Sequence, residues 1–316
     1  MSASTSIPYF SEDQLAGLGL TTHEVINRIE TLILSGDKQQ AWSAPKAVIQ
    51  PGDGRYMMVA LAAADDPSVL AVKTVVLNPR NPEQGLPLIN GLVTLLDSHS
   101  GLPIAILDGN WITAVRTAGL SATAARHMAK NDASVIAFIG CGVQANSHLQ
   151  AFSTLFPLEK VLLFGRGAVN IERLGDKAAE LSLPSVACDS AEEAVTGADI
   201  VISSVTHTGD VTPFLDANWL KPGAFAAITD LAVPWGKESF SALDQVVIDD
   251  LVQEAAMPNK LMSPDYVTGD LSQLVLGKIK GRNLDSDRNA FVFRGHAMGD
   301  LALSTLVYQR ALMMSD

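Results

Sequence analysis

The sequence predicts an α/β protein, with a doubly wound parallel sheet joined to a discontinuous, β-rich α+β domain. Three observations predict it. Residues 45–108 carry short apolar runs broken by Gly, Pro, Asn and Asp, the rhythm of a mostly antiparallel sheet or barrel. From residue 133 onward, strand-like runs alternate with helical patterns, the order that builds a parallel sheet. The last segment, GHAMGDLALSTLVYQRALM, reads as an amphipathic helix returning to the first domain. The expected domains are therefore 1–114 with 290–316, and 115–289.

Taken in order, residues 10–36 read as a helical entry, with Ser11-Glu-Asp and Thr22-His-Glu as N-cap sequences. The β-like runs AVIQ, YMMVAL, VLAVKTVVL, LINGLVTLLD and PIAILD follow, then a helix from about 111 to 130. The block ASVIAFIGCGVQANSHLQAF, 133–152, is an apolar strand running through a glycine turn into a helix. KVLLFGRG supplies a second strand, followed by a helix near 168–182, the strand SVA, the helix SAEEAVTG and the strand DIVISSV. AFAAI and QVVID extend the sheet.

The glycine turn, Gly140-Cys141-Gly142-Val143-Gln144-Ala145, has the form of a dinucleotide-binding fingerprint in a Rossmann-type unit. Gly140 permits the tight turn and Gly142 a close backbone approach to a pyrophosphate. The helix opened by Val143 and Gln144 offers unpaired amides to the anion. Ala145 stands at the third position, which admits alanine where helix packs on sheet. Cys141 reads as a small filler between two glycines. The tip of the next strand chooses the cofactor: a carboxylate there holds a ribose 2'-hydroxyl, whereas an arginine accommodates a 2'-phosphate. Here Gly165-Arg166-Gly167 has no carboxylate before Glu172, so Arg166 favours NADP(H), with NAD(H) possible.

Composition bounds the partners. With 316 residues, 47% of them hydrophobic, the chain has the length for two domains, and its net charge of −12 argues against nucleic acid. Cys141, Cys188 and six scattered histidines fit no metal-ligand spacing or disulfide framework, so no metal is expected. The start, MSASTSIPYFSEDQ, lacks a charged n-region and an apolar h-region, and no stretch is long enough to span a bilayer. No membrane association and a cytoplasmic location are expected.

Six motifs in order make the chain resemble the ornithine cyclodeaminase/mu-crystallin family of imine reductases and amino-acid dehydrogenases. They are VKTVVLNPRNPEQGLP around Lys73, SGLPIAILDGNWITAVRTAGLSA around Arg116 and Thr117, FIGCGVQA, ADIVISSV, ITDLAVPWGKE with Asp230, and the terminal RGHAMGDLA. The resemblance implies an NAD(P)H-dependent oxidoreductase acting on CH–NH or C=N bonds. It also implies a homodimer built through the β-rich domain, with the active site in the cleft between domains. Lys73 would meet the substrate carboxylate and reacting nitrogen, and Arg116 would hold the carboxylate near the cofactor. Asp230 would be the catalytic acid or base. Thr117, Ser204, Val205 and Gly295 would join Gly140, Gly142, Val143, Gln144, Arg116, Arg166 and Asp230 around the cofactor.

Departures from the family pattern narrow the substrate. Lys46 in SAPKAVI stands where the family has a carboxylate-clamping arginine, keeping the charge but losing the fork. The Met-Pro element becomes Met57-Met58-Val59, followed by AADDPS, which reads as an insertion. Arg55-Tyr56 replaces the acidic residue that in cyclodeaminases holds the distal ammonium of ornithine, and a tyrosine does not balance a buried ammonium. The expected activity is reduction of a small α-imino acid, cyclic (a 1-pyrroline-2-carboxylate type) or acyclic, to the L-amino acid. Basic Lys46 and Arg55 near the pocket would suit a second carboxylate. The alternatives are an NAD-dependent ornithine cyclodeaminase and a nucleotide-binding, crystallin-like protein with little turnover.

Overall fold

The computed structural model describes residues 6–206 and 211–315; the first five residues of the segment inspected for a leader lie outside them. Contacts divide the chain into two compact units, Met1–Arg116 with Ala297–Asp316, and Thr117–His296. No helix among the described residues is long and apolar enough to cross a membrane.

In the first unit the expected helical entry resolves into a two-residue strand β1 (Tyr9–Phe10) and two helices, α1 (Glu12–Ala16) and α2 (Thr22–Asp37). Ser11 caps α1 as expected. The cap of α2 is Thr21, one residue before the expected Thr22, because Thr21 lies three residues ahead of Glu24 and the two close a reciprocal capping box. The strands are β2 (Ala41–Ile49), β3 (Tyr56–Asp65), β4 (Ser68–Leu77), β5 (Ile89–Asp97) and β6 (Pro103–Asp108), with α3 (Gly109–Met128) following. The sheet order β1-β6-β5-β4-β3-β2 is that of an open sheet, antiparallel except where β1 lies parallel to β6. The register of β2 skips between Ala44 and Ala47. Pro45 cannot donate to a ladder, so a bulge there is its natural place. AADDPS is the end of the β3–β4 hairpin, Asp65 pairing with Ser68 across its turn.

Alternation along these strands gives the sheet two unlike faces. Met58, Ala60, Ala62 and Ala64 of β3 are buried together with Val69, Ala71, Lys73 and Val75 of β4. That face packs against α2 and the C-terminal helix. Trp42, Met57, Leu61 and Leu92 remain exposed.

The second unit contains β7 (Val135–Ile139), α4 (Val143–Phe152), β8 (Lys160–Phe164), α5 (Ala168–Glu180), β9 (Ser185–Ala187), α6 (Ala191–Gly197), β10 (Ile200–Ser203), β11 (Phe225–Ile228), β12 (Gln245–Ile248), α7 (Leu251–Ala256), β13 (Gly269–Asp270), α8 (Leu271–Val275) and β14 (Asn289–Val292); the C-terminal helix is α9 (Ala297–Ser315). Its strands form one parallel sheet, β13-β12-β14-β11-β10-β7-β8-β9. The order runs outward from β7 in both directions, so the carboxyl ends of β7 and β10 flank a topological switch point, where such sheets bind ligands. β14, a run of four residues absent from the sequence-based strand assignment, lies between β11 and β12, and all four of its residues are buried. The expected boundary at 290 cuts this strand; the contact boundary falls at 296/297, after the strand has completed the sheet.

Candidate active site

The glycine turn closes β7 and opens α4. Gly140 has φ of 91°, and a Cβ there would lie 2.8 Å from the Ser204 carbonyl oxygen, so both backbone and packing demand glycine. Gly142 is different: a Cβ on it would meet no heavy atom within 4 Å. Its small size serves no internal packing and leaves a cradle open beside the helix start. Gly142 caps α4 without a side-chain hydrogen bond, leaving the first-turn amides around Val143 and Gln144 to act as an anion site. Ala145 is fully buried against the sheet, as the third fingerprint position requires.

A cavity of about 560 Å³ lies over this turn, bordered by Gly140, Cys141, Gly142, Gly165, Arg166, Gly167, Asn170, Ser204, Val205 and Phe214 among others. Arg166 is the charged residue among the described residues of that lining, and its guanidinium donates to the Thr206 carbonyl at 3.1 Å. Cys141 also lines the cavity; its thiol points to the Phe164 carbonyl at 3.7 Å, and burial pushes its pKa up to about 11. An open cradle, an uncapped helix start and a cavity without a carboxylate among its described lining residues fit a dinucleotide pyrophosphate and its adenosine end.

Asp230 stands two residues beyond β11 and is 6% exposed. Its Oδ2 accepts hydrogen bonds from the Ser203 hydroxyl and, at 3.0 Å, from the Val205 amide, while the Trp235 indole donates to Ser203 Oγ at 3.1 Å. Burial raises its pKa to about 6, against the opposing effect of these donors.

In the first unit, Lys73 and Arg116 converge on a residue that sequence reasoning did not single out, Asp300 of α9. Lys73 Nζ lies 2.6 Å and Arg116 Nε 2.8 Å from the same oxygen, Oδ1, and each of the three side chains is at most 5% exposed. Burial and then the Arg116 guanidinium push the Lys73 pKa down to about 7, with Asp300 opposing. Burial alone would raise Asp300, but the Arg116 and Lys73 charges hold its carboxyl below the usual range. Lys46 also acts electrostatically on both Lys73 and Asp300. The signal for Asp300 was present: an acid one helical turn into the terminal helix, flanked by apolar residues and within the GHAMGD motif.

The other expected residues are distributed as follows. Ser204 and Val205 line the cavity over the glycine turn, whereas Thr117, Asp230 and Gly295 do not border it. Thr117 is buried in α3, and Arg116 belongs to the Lys73 cluster. Gly295 has φ of 111°; its amide donates to Asp249 and its carbonyl accepts from Gln253 at 2.9 Å. Tyr56 is half-buried on β3, on the strand face that includes Ala60, the pairing partner of Lys73. Arg55, expected near a substrate pocket, bonds Asp53 at 2.7 Å in the exposed turn before β3. Two residues of sequence separation let that local pair form in solvent. Among the described residues no group of three or more His, Cys, Asp or Glu is placed to hold a metal.

Sheet order, glycine cradle and buried ionic clusters together define an oxidoreductase built on a dinucleotide-binding fold. The family model for the ornithine cyclodeaminase/mu-crystallin family matches residues 16–315, and the chain belongs to that family. It is 31% identical over 256 residues to the ketimine reductase mu-crystallin of Rattus norvegicus, covering 80% of this chain and 79% of that one. It is 26% identical over 260 residues to the Delta(1)-pyrroline-2-carboxylate reductase of Bacillus cereus, covering 79% and 80% respectively. The Thermococcus litoralis Delta(1)-pyrroline-2-carboxylate reductase, solved with NADH and L-proline, superposes with a TM-score of 0.87 at 24% identity over 98% of both chains, a likeness of fold.

Proposed function

We propose that the protein reduces a small α-imino acid to the L-amino acid with a nicotinamide dinucleotide, preferably NADPH. The observation that carries this reading is the buried pair of cations, Lys73 and Arg116, sharing one oxygen of Asp300. Two buried cations on one carboxylate leave positive charge that a substrate carboxylate neutralises, and desolvation makes that attraction strong. The relatives support the reaction class.

The dinucleotide, when bound over Gly140 and Gly142, supplies the hydride. The chain supplies orientation and proton control. Arg116 presents a planar fork to the substrate carboxylate, and Lys73 adds a compact charge beside it. With a pKa near 7, Lys73 can also release or take up a proton at Nζ near neutral pH. Asp230, with a pKa near 6, holds the proton that keeps the substrate nitrogen in its iminium form, the better hydride acceptor.

Arg166, in a cavity without a carboxylate among its described lining residues, favours the 2'-phosphate of NADPH over NADH. Tyr56 and Lys46 offer no carboxylate to a distal ammonium, which disfavours ornithine cyclodeamination. The homodimer is proposed to form on the exposed sheet face bearing Trp42, Leu61 and Leu92, an apolar patch of the kind that marks an association surface. Sedimentation of wild type and Leu61→Glu tests this: a dimer converted to monomer is expected, and a wild-type monomer refutes it.

The deciding experiment follows oxidation of NADPH and NADH across cyclic imino acids and 2-oxo acids supplied with ammonia or methylamine. Oxidation with one imine group is expected. Silence across the panel, with ammonia released from ornithine and NAD+, would establish a cyclodeaminase instead; silence in both would point to a binding protein.

A further inference from the structure

The surroundings of Asp230 treat its two carboxyl oxygens unequally. Oδ2 accepts from the Ser203 hydroxyl and the Val205 amide. Oδ1 is buried and accepts no well-formed hydrogen bond among the described residues, although the Asp230 and Ala232 amides lie near enough to the carboxyl to favour its charged form. A buried acceptor left unpaired destabilises a fold, so a purely structural brace would gain nothing from that oxygen. We propose that Ser203 and Trp235 are positioning residues that reserve Oδ2 for the fold and leave Oδ1 as the single seat through which Asp230 exchanges its proton. This rests on the reading of Asp230 as the proton-holding group.

Ser203 would be ambiguous alone, because a hydroxyl rotates and can donate in several directions. Trp235 removes the ambiguity. Its indole N–H can only donate, and it occupies a lone pair of Ser203 Oγ at 3.1 Å, turning the hydroxyl hydrogen toward Asp230. Trp235 is itself fully buried. The chain reaches it through Leu231 and Ala232, with φ of 59° and 57°, a left-handed pair that non-glycine residues adopt at an energetic cost. Strain directly after Asp230, spent on bringing an indole back to a serine on the neighbouring strand, is organisation around one carboxyl. Val205, whose amide donates to the same oxygen, lines the dinucleotide cavity, but that bond is made by Asp230 itself and not through Ser203 or Trp235.

The strongest influences on Asp230 are uncharged: burial, the Ser203 hydroxyl, and the amides of Val205, Asp230 and Ala232. From the adjacent β14 end, the Arg294 guanidinium is engaged with Glu254 at 2.8 Å and the Asn259 carbonyl at 2.7 Å. From the β12 end, Asp249 accepts the Arg294 and Gly295 amides. Ser203 donates to the carboxylate, so its loss disfavours the charged form and moves the titration of Asp230 to higher pH. That direction holds whether Asp230 acts as acid in reduction or base in oxidation.

The test is the pH profile of turnover for Ser203→Ala, Ser203→Thr and Trp235→Phe, with NADPH affinity measured alongside by fluorescence. Ser203→Ala should move the Asp230 limb upward by on the order of one pH unit. Ser203→Thr should restore it, Trp235→Phe should give a smaller shift in the same direction, and NADPH affinity should stay within about twofold. An active Ser203→Ala enzyme with an unmoved profile overturns the proposal. So does an equal loss at every pH accompanied by weakened NADPH binding, the mark of a merely structural role. If Ser203→Ala does not fold, Trp235→Phe decides by the same criterion. Asp230→Asn separates the two levels: full activity there refutes the proton role itself, whereas an inactive Asp230→Asn with an unmoved Ser203→Ala profile refutes only the positioning.

Discussion

Asp300 and Asp230 are the same residue type at nearly the same burial, 3% and 6% exposed, yet their pKa values move in opposite directions. Asp300 faces Lys73 and Arg116, and their charges overcome desolvation and keep it ionised. Asp230 faces a hydroxyl and backbone amides, which offset desolvation only in part. Burial alone therefore does not assign a role; the charge of the neighbours does. One aspartate is a fixed counter-ion to two buried cations, and the other is poised to change protonation near neutral pH.

The largest expected effect comes from removing the counter-ion. Asp300→Asn keeps the shape but leaves Lys73 and Arg116 buried without their shared carboxylate, which should cost about 3–5 kcal/mol in denaturant unfolding. The Lys73 pKa should fall further, and kcat/KM should drop by on the order of 100-fold at pH 7. A variant as stable and active as wild type would remove the contrast between the two aspartates. Asp230→Asn should instead lose turnover by roughly 10²- to 10⁴-fold with NADPH binding retained, and its unfolding midpoint should move far less than that of Asp300→Asn.

A smaller effect separates the two sites by pH. In the free enzyme Lys73 must be cationic to hold a carboxylate, so kcat/KM should decline as pH rises through about 7, its folded pKa. Stability gives a second reading. Asp230, raised from 3.8 to about 6, contributes stability that is full below 3.8 and lost as pH rises through 6. His148, buried in α4 and bonded to Ser121 Oγ at 2.9 Å, is lowered from 6.5 to about 4, so its contribution is full above 6.5 and lost as pH falls through 4. The two slopes oppose each other between about pH 4 and 6, each at most about 1.4 kcal/mol per pH unit. Asp230→Asn should therefore make stability rise more steeply with pH across that window, and His148→Gln should make it rise less or fall. Parallel curves for both variants and wild type would contradict these assignments.

The fold was legible where local chemistry repeats along the chain. The alternation from 133 onward and the Gly140 to Ala145 turn announce the parallel sheet, and the turn's geometry follows from glycine itself. β14 was illegible because four residues carry too little periodicity, and only their burial between β11 and β12 marks them as a strand. The resemblance singled out Lys73 and Arg116, but the residue that joins them, Asp300, lies 227 residues from Lys73, and no local pattern reports that separation. Ser203 and Trp235 were hidden for the same reason: they are joined by a hydrogen bond between the end of β10 and a loop residue 32 positions away.

The smallest expected effect concerns a charge outside both buried clusters, and it tests whether cofactor choice is separable from catalysis. Arg166 is exposed at the tip of β8 and is anchored by one bond to the Thr206 carbonyl. On the proposed NADPH reading, a guanidinium there would meet the 2'-phosphate in partial solvent, where a charge-assisted hydrogen bond contributes about 1–1.5 kcal/mol. Arg166→Ala should weaken NADPH by roughly tenfold while leaving NADH nearly unchanged. Turnover at saturating cofactor should be unaffected, because Arg166 is not among the groups that chiefly set the protonation of Lys73 and Asp230. The NADPH preference should also weaken with added salt, since exposed charges are screened where buried ones are not. An equal loss for both cofactors would make Arg166 a support of the cavity wall through Thr206, and the choice between NADPH and NADH would then lie elsewhere in the lining.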